Sequence, residues 1–284
     1  MAKPTTRWEP ATLLARRAPS IVKMAELSGI RAVVTGATSG LGEAMARALL
    51  LAGATVAVAA RPSARLDAVC SELSATAPGR CVAAAMDVRD ADSVARIADE
   101  LLGRLGGVDL VVNNAGIGMR TVNPRFFDAP EPFFSVEPAS FADVIATNLT
   151  GYFHVARAFA PAMAAAGSGR IVNVTMNHET MRRRGFVPYG PSRAGAESLS
   201  LIMTEDLRPH GVQVNLLAPG GATRTGMIPD DVAPRRQLLD PAIMGPPIVF
   251  LASDEAAGLT GARLVASEFT TFLAEFRAQR TASS

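Results

Sequence analysis

The octapeptide Thr35–Gly42, TGATSGLG, follows a short apolar run and opens an Ala/Leu-rich segment of helical length. Glycines at a tight turn and at a helix start allow backbone N–H groups to approach a pyrophosphate, whose negative charge the helix dipole favours. The spacing is Gly-x3-Gly-x-Gly, and a glycine-rich turn that binds nothing is the alternative. The order of strand, turn and helix, with a second apolar strand ending about 20 residues further on, favours a dinucleotide site.

The residues after the second and third apolar runs bear on which dinucleotide binds. The second run ends in the letters VAARP, with Arg61 where a protein that binds NAD would place an acidic side chain for the ribose 2′-hydroxyl. Because a guanidinium forms bidentate bonds with phosphate, the sequence predicts NADP rather than NAD, and Ser63 or Arg65 could share the role. A solvated arginine is the alternative. Asp87, followed by Val88, is predicted to contact the adenine amino group or to cap the following turn.

From residue 30 onward, short β-branched runs alternate with Ala/Leu-rich segments of helical length. This alternation predicts a parallel sheet with helices on both faces. Seven strands and six crossovers indicate an α/β fold of the Rossmann type, with a doubly wound seven-stranded sheet. The predicted strands are Arg31–Thr35, Thr55–Ala60, Cys81–Met86, Val108–Val112, Arg170–Thr175, Val212–Leu217 and Arg263–Ala266. The predicted helices lie near 41–52, 63–76, 91–104, 139–166, 189–208 and 241–252.

The chain is predicted to form one domain at residues 27–284, because no Ser/Gly linker or internal repeat divides it. Residues 1–26 are expected to be a disordered or partly ordered arm, and residues 268–284 a tail. Residues 117–138 hold four prolines and four phenylalanines, a composition that predicts an ordered loop over the substrate. A second Gly/Pro-rich loop covers residues 220–241. Both loops follow the carboxyl ends of strands, where ligands bind in such sheets.

Composition argues against several classes of function. The chain is 49% hydrophobic and 19% charged, as soluble globular proteins are. Without its first 23 residues the net charge falls from +2 to about −2, which gives no reason to expect nucleic acid. No apolar run approaches the ~20 residues of a membrane span and no secretory signal is evident, so the expected location is the cytoplasm. Cys70 and Cys81 are expected to be reduced, and the histidine spacing indicates no metal site.

The glycine turn, Asn113-Asn114-Ala115-Gly116 after the fourth strand and a tyrosine ahead of a long helix together resemble the short-chain dehydrogenases/reductases. The likeness covers roughly residues 27–267. It implies that Tyr189 donates a proton to a substrate carbonyl while a hydride arrives from the nicotinamide. In that family a lysine four residues after the tyrosine binds the ribose hydroxyls and lowers the pKa of the phenol. The residue at that position here is Arg193.

Two positions depart from the family's pattern. A cation about 4 Å from a phenol supplies about 4 kcal/mol at an effective dielectric of about 20, so Arg193 is expected to polarise Tyr189. Its planar guanidinium, however, is not equivalent to an ammonium that hydrogen-bonds to two ribose hydroxyls. The family's serine, thirteen residues before the tyrosine, is Met176 here, which cannot donate a hydrogen bond. Asn177 is the expected substitute and Thr175 the second candidate, and the alternative is that nothing replaces the serine.

Further positions match the family's relay and coenzyme-binding residues. Asn148 matches an asparagine that positions a water for proton relay, although a core hydrogen bond would also explain a buried amide. After the sixth strand, Pro219 and Gly220 resemble a turn around the nicotinamide carboxamide, with Thr225 or Thr223 following. The predicted catalytic residues are Tyr189, Arg193, Asn148, Asn177, Thr175 and Met176. The predicted coenzyme-binding residues are Gly36, Thr38, Ser39, Gly40, Leu41, Gly42, Arg61, Asp87, Val88, Asn114, Ala115, Gly116, Tyr189, Arg193, Pro219, Gly220, Thr223 and Thr225.

The sequence therefore predicts an NADP-dependent oxidoreductase that interconverts a carbonyl and an alcohol on a largely apolar small molecule. Met176 and Arg193 keep two alternatives open: non-redox chemistry such as isomerisation or elimination on the same fold, and coenzyme binding without turnover. The sequence gives no reason to expect a metal, nucleic acid or membrane partner. Helices near 139–166 and 189–208 are more apolar than one sheet face should bury, so a homodimer or homotetramer is expected, as in the family.

Overall fold

The computed structural model describes residues 25–282, apart from the side chain of residue 235. The predicted arm at residues 1–26 lies almost entirely outside the described residues. The strands are β1 (Arg31–Thr35), β2 (Thr55–Ala60), β3 (Cys81–Ala85), β4 (Leu110–Asn113), β5 (Gly169–Val174), β6 (Val212–Ala218) and β7 (Arg263–Val265). The α-helices are α1 (Gly40–Leu51), α2 (Ala64–Thr76), α3 (Ala91–Leu105), α4 (Pro138–Ile145), α5 (Gly151–Ala166), α6 (His178–Met181), α7 (Tyr189–Leu207), α8 (Gly245–Ala252) and α9 (Phe269–Ala282).

The seven strands form one parallel sheet in the order β3-β2-β1-β4-β5-β6-β7. Val33 of β1 pairs in register with Ala57 of β2 on one side and with Val111 of β4 on the other. The strand order reverses between β1 and β4, which is where doubly wound sheets open a crevice for ligands. The predicted fold class is confirmed.

Helices cover both faces of the sheet because successive strand residues point to opposite sides. Val34 of β1 packs into one apolar cluster with side chains of α1, α2, α8 and α9. Its neighbour Val33 packs into a second cluster with side chains of α3 and α5. Both strand residues are fully buried, which explains why the β1 run reads as continuous apolar sequence rather than as an alternation.

Several elements differ from the predicted ones. The helix predicted over 139–166 is divided into α4 and α5 by a π-helical turn at Ala146–Thr150. Within the predicted tail at 268–284, Phe269–Ala282 form α9, with buried Phe269 and Leu273. The phenylalanines of α9 surround Phe250 of α8, with ring centroids 5.3–6.0 Å away. Helix-period apolar residues at 269, 272, 273 and 276 were the signal for α9.

The cysteines occupy the elements expected of them, α2 and the start of β3. Both are free, and their sulfur atoms are 3.1 Å apart. Burial is the main reason that the pKa of Cys81 is raised to about 12, which keeps this thiol protonated and unreactive at neutral pH.

Candidate active site

The candidate site lies at the carboxyl edge of the sheet, where the ends of β1, β4, β5 and β6 meet the first turn of α7. The chain after β1 forms the glycine turn, and the chain after β4 runs alongside it. Asn114 connects the two, because its amide Nδ2 donates to the carbonyl oxygens of Thr35 at 2.9 Å and Gly36 at 3.2 Å. Its backbone N–H donates to the Thr35 hydroxyl at 3.0 Å.

The glycine turn forms a cradle that has no room for a side chain at its glycine positions. Gly36 and Gly40 have φ angles of +63° and +56°, in the left-handed region that favours glycine. A Cβ at Gly36 would lie 2.7 Å from the Cα of Ala115, and one at Gly42 would collide with the Gly36 carbonyl and the Asn114 amide. Such close backbone approach fits a turn that receives a pyrophosphate.

No side chain caps the first turn of α1, whereas side chains cap the neighbouring helices α2 and α3. Ser63 caps α2 by accepting from the Leu66 N–H, and Asp90 caps α3. Ser39, at the corresponding position of α1, makes no side-chain cap bond. An anion at this helix end would accept the unpaired N–H groups and interact favourably with the helix dipole.

Arg61 lies exposed immediately after β2, and the residues predicted to share its role are otherwise engaged. Ser63 caps α2, while Arg65 donates to the Thr38 carbonyl at 3.1 Å and contacts Glu43. Of the three, Arg61 is therefore the one left for a ribose 2′-phosphate.

Asp87 holds the turn after β3, as the capping alternative predicted. Its carboxylate accepts the backbone N–H of Arg89 at 3.0 Å and pairs with that arginine's guanidinium at 2.7 Å. These bonds to Arg89 keep the pKa of Asp87 below its usual range. Val88 is buried against Gly151 at the start of α5, where a Cβ would be 2.7 Å from its side chain. Both residues thus have clear structural roles. The contact of Asp87 with adenine and the contact of Val88 with the coenzyme stay predictions.

Tyr189 begins α7, and Arg193 lies one turn later on the same helix. The guanidinium carbon of Arg193 is 5.4 Å from the ring centroid of Tyr189 and the same distance from that of Tyr152. The side chain of Arg193 is only 2% exposed, and its Nη1 donates to the hydroxyl of Tyr152 and to the carbonyl of Val174. A buried cation therefore lies between two phenols. Sequence analysis did not identify Tyr152, although its position four residues after Asn148 places both on one helix face.

Apolar side chains surround the other side of Tyr189. Met176 is 9% exposed and packs with side chains from the 117–138 loop and from the segment before α7. The members of this apolar cluster are Met119, Val122, Phe126, Phe127, Met176, Met181, Phe186 and Tyr189. The thioether sulfur of Met227, from the loop after β6, is 3.9 Å from the Tyr189 hydroxyl. A substrate that reaches this hydroxyl would meet mostly carbon and sulfur atoms.

Neither of the two side chains predicted to act in place of a serine is free in this arrangement. The Thr175 hydroxyl donates to Glu197 Oε1 at 2.6 Å, and the Asn177 amide donates to the Gly220 carbonyl at 3.2 Å. Glu197 also accepts from His178 Nε2 at 2.9 Å and Arg263 Nε at 3.0 Å. The role given to Asn177 stays a prediction, and the geometry does not favour it over Thr175.

Glu197 is central to a polar network that sequence analysis missed. Burial alone would raise the pKa of Glu197, but bonds from Thr175, His178 and Arg263 outweigh burial and lower the pKa below its usual range. Arg263 also donates from Nη2 to the carbonyl of Met176. The network therefore connects the end of β5 to α7 and β7. The position of Glu197, one turn after Arg193 on α7, was the sequence feature that could have indicated this network.

Asn148 lies in the π-helical turn and is completely buried. Its Oδ1 accepts the backbone N–H of Ile117 at 2.9 Å, and its Nδ2 donates to the Ile117 carbonyl at 3.0 Å and the Ser192 hydroxyl at 3.1 Å. These bonds connect the loop after β4 to α7, as the core hydrogen-bond alternative predicted. Proton relay through Asn148 stays a prediction.

The loop after β6 comes close to the glycine turn. Ser267 donates its backbone N–H to the Pro219 carbonyl, and Gly220 has a φ of +95°. A Cβ at Gly40 would lie 2.9 Å from the methyl of Thr225, whereas the Thr223 hydroxyl donates back to the Gly221 carbonyl. Of the two threonines, the geometry therefore favours Thr225 as the residue near a bound nicotinamide.

A cleft of about 660 Å³ runs along α1 beside residues 224–242. It includes Ser39 and Gly40 but not Tyr189 or Arg193, so it extends away from the proposed chemistry. Among the described residues, no group of three or more His, Cys, Asp or Glu side chains is placed to hold a metal ion. Within the same residues, no helix combines the length and the apolar character that crossing a membrane requires.

Known proteins similar to this chain include several oxidoreductases. The family of short chain dehydrogenases matches residues 31–235. An uncharacterised oxidoreductase of Mycobacterium tuberculosis is 31% identical over 264 residues, which cover 89% of this chain and 96% of that protein. The 3-oxoacyl-[acyl-carrier-protein] reductase of Vibrio harveyi is 32% identical over 247 residues, which cover 84% of this chain and 96% of the reductase.

Solved structures share the same fold. A gluconate 5-dehydrogenase from Burkholderia cenocepacia, crystallised in complex with NADP and tartrate, superimposes with a TM-score of 0.75 at 28% identity, covering 84% of this chain and 94% of that one. The family match spans most of the sheet, and the relatives cover most of the chain. The chain with the glycine cradle and the Tyr189–Arg193 pair belongs to the short-chain dehydrogenase family.

Proposed function

We propose that this protein is an NADP-dependent oxidoreductase that interconverts a carbonyl and an alcohol on a largely apolar small molecule. The observation that carries the proposal is the position of Tyr189. Its ring lies against the buried Arg193 guanidinium, and its hydroxyl lies next to the Met227 thioether, beside a cluster of apolar side chains. A phenol beside a fixed positive charge is suited to give and take a proton at a carbonyl oxygen.

The residues at the glycine cradle fit a dinucleotide. Gly36, Gly40 and Gly42 leave room only for backbone, and the first turn of α1 offers N–H groups to an anion. The buried Nε of Arg193 has no hydrogen-bond partner among the described residues and would suit a ribose oxygen. When bound, the coenzyme supplies the hydride for the carbonyl carbon. Arg61 favours NADP, and the structural relative from Burkholderia cenocepacia was crystallised with NADP.

Compared with the family's pattern, Arg193 stands where the family has lysine, and Met176 stands where the family has serine. Arg193 retains the positive charge beside the phenol. Met176 removes a hydroxyl donor and adds an apolar wall, so we propose that Tyr189 alone provides the proton and that the substrate is oriented by packing. Among the relatives, this pocket is closer in character to one for a 3-oxoacyl chain than to one for gluconate, whose hydroxyls would need polar partners.

A second candidate function is coenzyme binding without turnover. It is favoured by the engagement of Thr175 with Glu197 and of Asn177 with Gly220, which leaves neither side chain to take over from the serine. Non-redox chemistry on the same fold has no specific observation in its favour.

The test is a panel of ketones with purified protein and NADPH. We expect coenzyme binding in a fluorescence titration and oxidation of NADPH by apolar ketones such as a 3-oxoacyl thioester, with little activity on polyhydroxylated ketones. Tyr189→Phe should bind NADPH within about twofold of the native protein and should lower kcat by at least about 100-fold, the scale of general acid catalysis.

Coenzyme binding with no ketone reduced would exclude the reductase and favour the second candidate. Equal kcat values for the native protein and Tyr189→Phe would remove Tyr189 from the mechanism. The control is Phe141→Tyr on the exposed surface of α4. It changes a side chain by the same hydroxyl group away from the site, and it should leave kcat unchanged.

A further inference from the structure

One guanidinium nitrogen of Arg193, Nη1, makes two hydrogen bonds that help to fix the side chain. Nη1 donates to the Tyr152 hydroxyl and to the Val174 carbonyl at 2.9 Å. Tyr152 is 1% exposed, and its own hydroxyl donates to the same carbonyl at 3.2 Å. A phenol on α5 and a carbonyl at the end of β5 therefore fix the position of a cation that belongs to α7.

The bonds to Tyr152 and Val174 do not use the other two guanidinium nitrogens, Nη2 and Nε. Nη2 lies beside Gly116, where a Cβ would collide with it. Nε is buried and has no partner among the described residues. Because a buried donor without an acceptor is costly, Nε marks a place where a ligand oxygen would be favourable.

The charge of Arg193 is stabilised without an acidic partner among the described residues. Burial alone would lower the pKa of Arg193, but the phenols of Tyr152 and Tyr189 outweigh it and raise the pKa above its ordinary value. Burial is also the main reason that the pKa of Tyr152 is raised, so this phenol stays neutral. A neutral phenol can accept a bond from the guanidinium without cancelling its charge, whereas a carboxylate would weaken the field at Tyr189.

We infer that Tyr152 is a positioning residue for Arg193. By accepting a hydrogen bond from Nη1, it holds the guanidinium so that Nε stays free for a ribose hydroxyl of the coenzyme and Nη2 stays beside Gly116. It thereby allows arginine to serve at a position where the family has lysine. A lysine ammonium carries its three N–H donors on one nitrogen, so a bond to Tyr152 and bonds to the ribose would have to start from the same atom. The inference rests on the proposed coenzyme site.

The test is a double-mutant cycle on Tyr152→Phe and Arg193→Lys, read out as the dissociation constant for NADPH in a fluorescence titration. In the native background, Tyr152→Phe should raise this constant about tenfold, the scale of one hydrogen bond to a charged group. In the background of Arg193→Lys the same change should alter it by less than about twofold. Urea unfolding of the coenzyme-free variants reports separately on stability.

The control is Thr204→Val, which removes another buried hydroxyl from α7 at a site away from the cradle. It should leave the dissociation constant unchanged even if it lowers stability. Equal effects of Tyr152→Phe in both backgrounds, or no effect in either, would overturn the inference. If the protein binds NADPH but reduces no ketone, the proposed reaction fails while this inference stands. If the native protein binds no NADPH, both fail.

A second measurement applies if Tyr152→Phe does not fold. The chain has two tyrosines, so protein labelled with 3-fluorotyrosine should give two ¹⁹F resonances, assigned with Tyr189→Phe. Adding NADPH should shift the resonance of Tyr152, because the guanidinium to which it is bonded gains new partners. A Tyr152 resonance that stays in place at saturating NADPH would contradict the inference.

Discussion

Individual residues show which contacts a sequence can indicate and which it cannot. The spacing of Tyr189 and Arg193 indicated their pairing, because residues four apart share a helix face. The engagement of Thr175 could not be predicted in the same way. Its partner Glu197 is 22 residues away, and Arg263, which completes the network, bonds to Met176 across 87 residues. Side-chain direction at a strand end depends on such distant partners.

Arg61 gives a test of coenzyme choice at the level of one residue. Arg61→Ala should raise the dissociation constant for NADPH by roughly ten- to hundredfold, because it removes a charge-assisted bond to the 2′-phosphate. The constant for NADH, which lacks this phosphate, should change by less than about twofold. Fluorescence titration with both coenzymes measures the two values.

The matched control for this substitution is Arg96→Ala, at an exposed position on α3. It removes the same charge and should leave both dissociation constants unchanged. An equal loss of affinity for NADPH and NADH in Arg61→Ala would show that Arg61 does not read the 2′-phosphate.

At the level of elements, hydrophobic periodicity predicted the sheet and most of its helices. Most predicted strand and helix starts lie within two residues of the observed ones, because Pro, Gly and polar caps divide the apolar runs, but α8 begins at Gly245 rather than near 241. The π-helical turn at Ala146–Thr150 could not be predicted, because its cause is tertiary: Asn148 bonds to Ile117 and Ser192, and Gly151 packs against Val88. Helix α9 was missed although its apolar spacing was visible in the sequence.

The network at Glu197 joins β5, α7 and β7 and makes stability depend on pH. The pKa of Glu197 is lower in the folded protein than its ordinary value, so its contribution is fully present above about pH 4.3 and is lost as the pH falls through the lower folded value. Glu197→Gln should lower the free energy of unfolding by about 1–3 kcal/mol near pH 7. The difference from the native protein should shrink as the pH falls from about 5 to about 3.

Urea unfolding measured across this pH range checks the prediction. Glu100→Gln, on the exposed surface of α3, is the control and should stay within about 0.5 kcal/mol of the native protein at every pH. A constant difference between Glu197→Gln and the native protein from about pH 7 to about pH 3 would contradict a role for the ionised carboxylate.

For the whole molecule, the outer surface of α4, α5 and α7 is the feature that the fold leaves unexplained. Large apolar side chains there are 41–57% exposed, which is unusual for helices that also pack on a sheet. They are Phe141, Phe153, Leu201 and Ile202. We propose that this surface pairs with a second copy of the chain, as sequence analysis expected.

Sedimentation analysis should therefore give a mass of at least twice 29.6 kDa. The double variant Leu201→Glu with Ile202→Glu should shift the protein toward monomer, because two carboxylates cannot be buried unpaired in an apolar interface. Leu51→Glu, at a position 64% exposed on α1, is the control and should keep the native mass. A monomeric native protein would contradict the proposed pairing.

The guanidinium enclosed beneath Gly116 has one more consequence, which concerns reactive substrates. Residues 25–282 contain no lysine, since Lys3 and Lys23 precede them. Amines condense with aldehydes to form imines, and lysine is the side chain that proteins use for this chemistry. Among residues 25–282, the surroundings of Tyr189 thus hold a positive charge without a condensing amine, so an aldehyde handled there would meet no lysine of these residues that it could permanently modify.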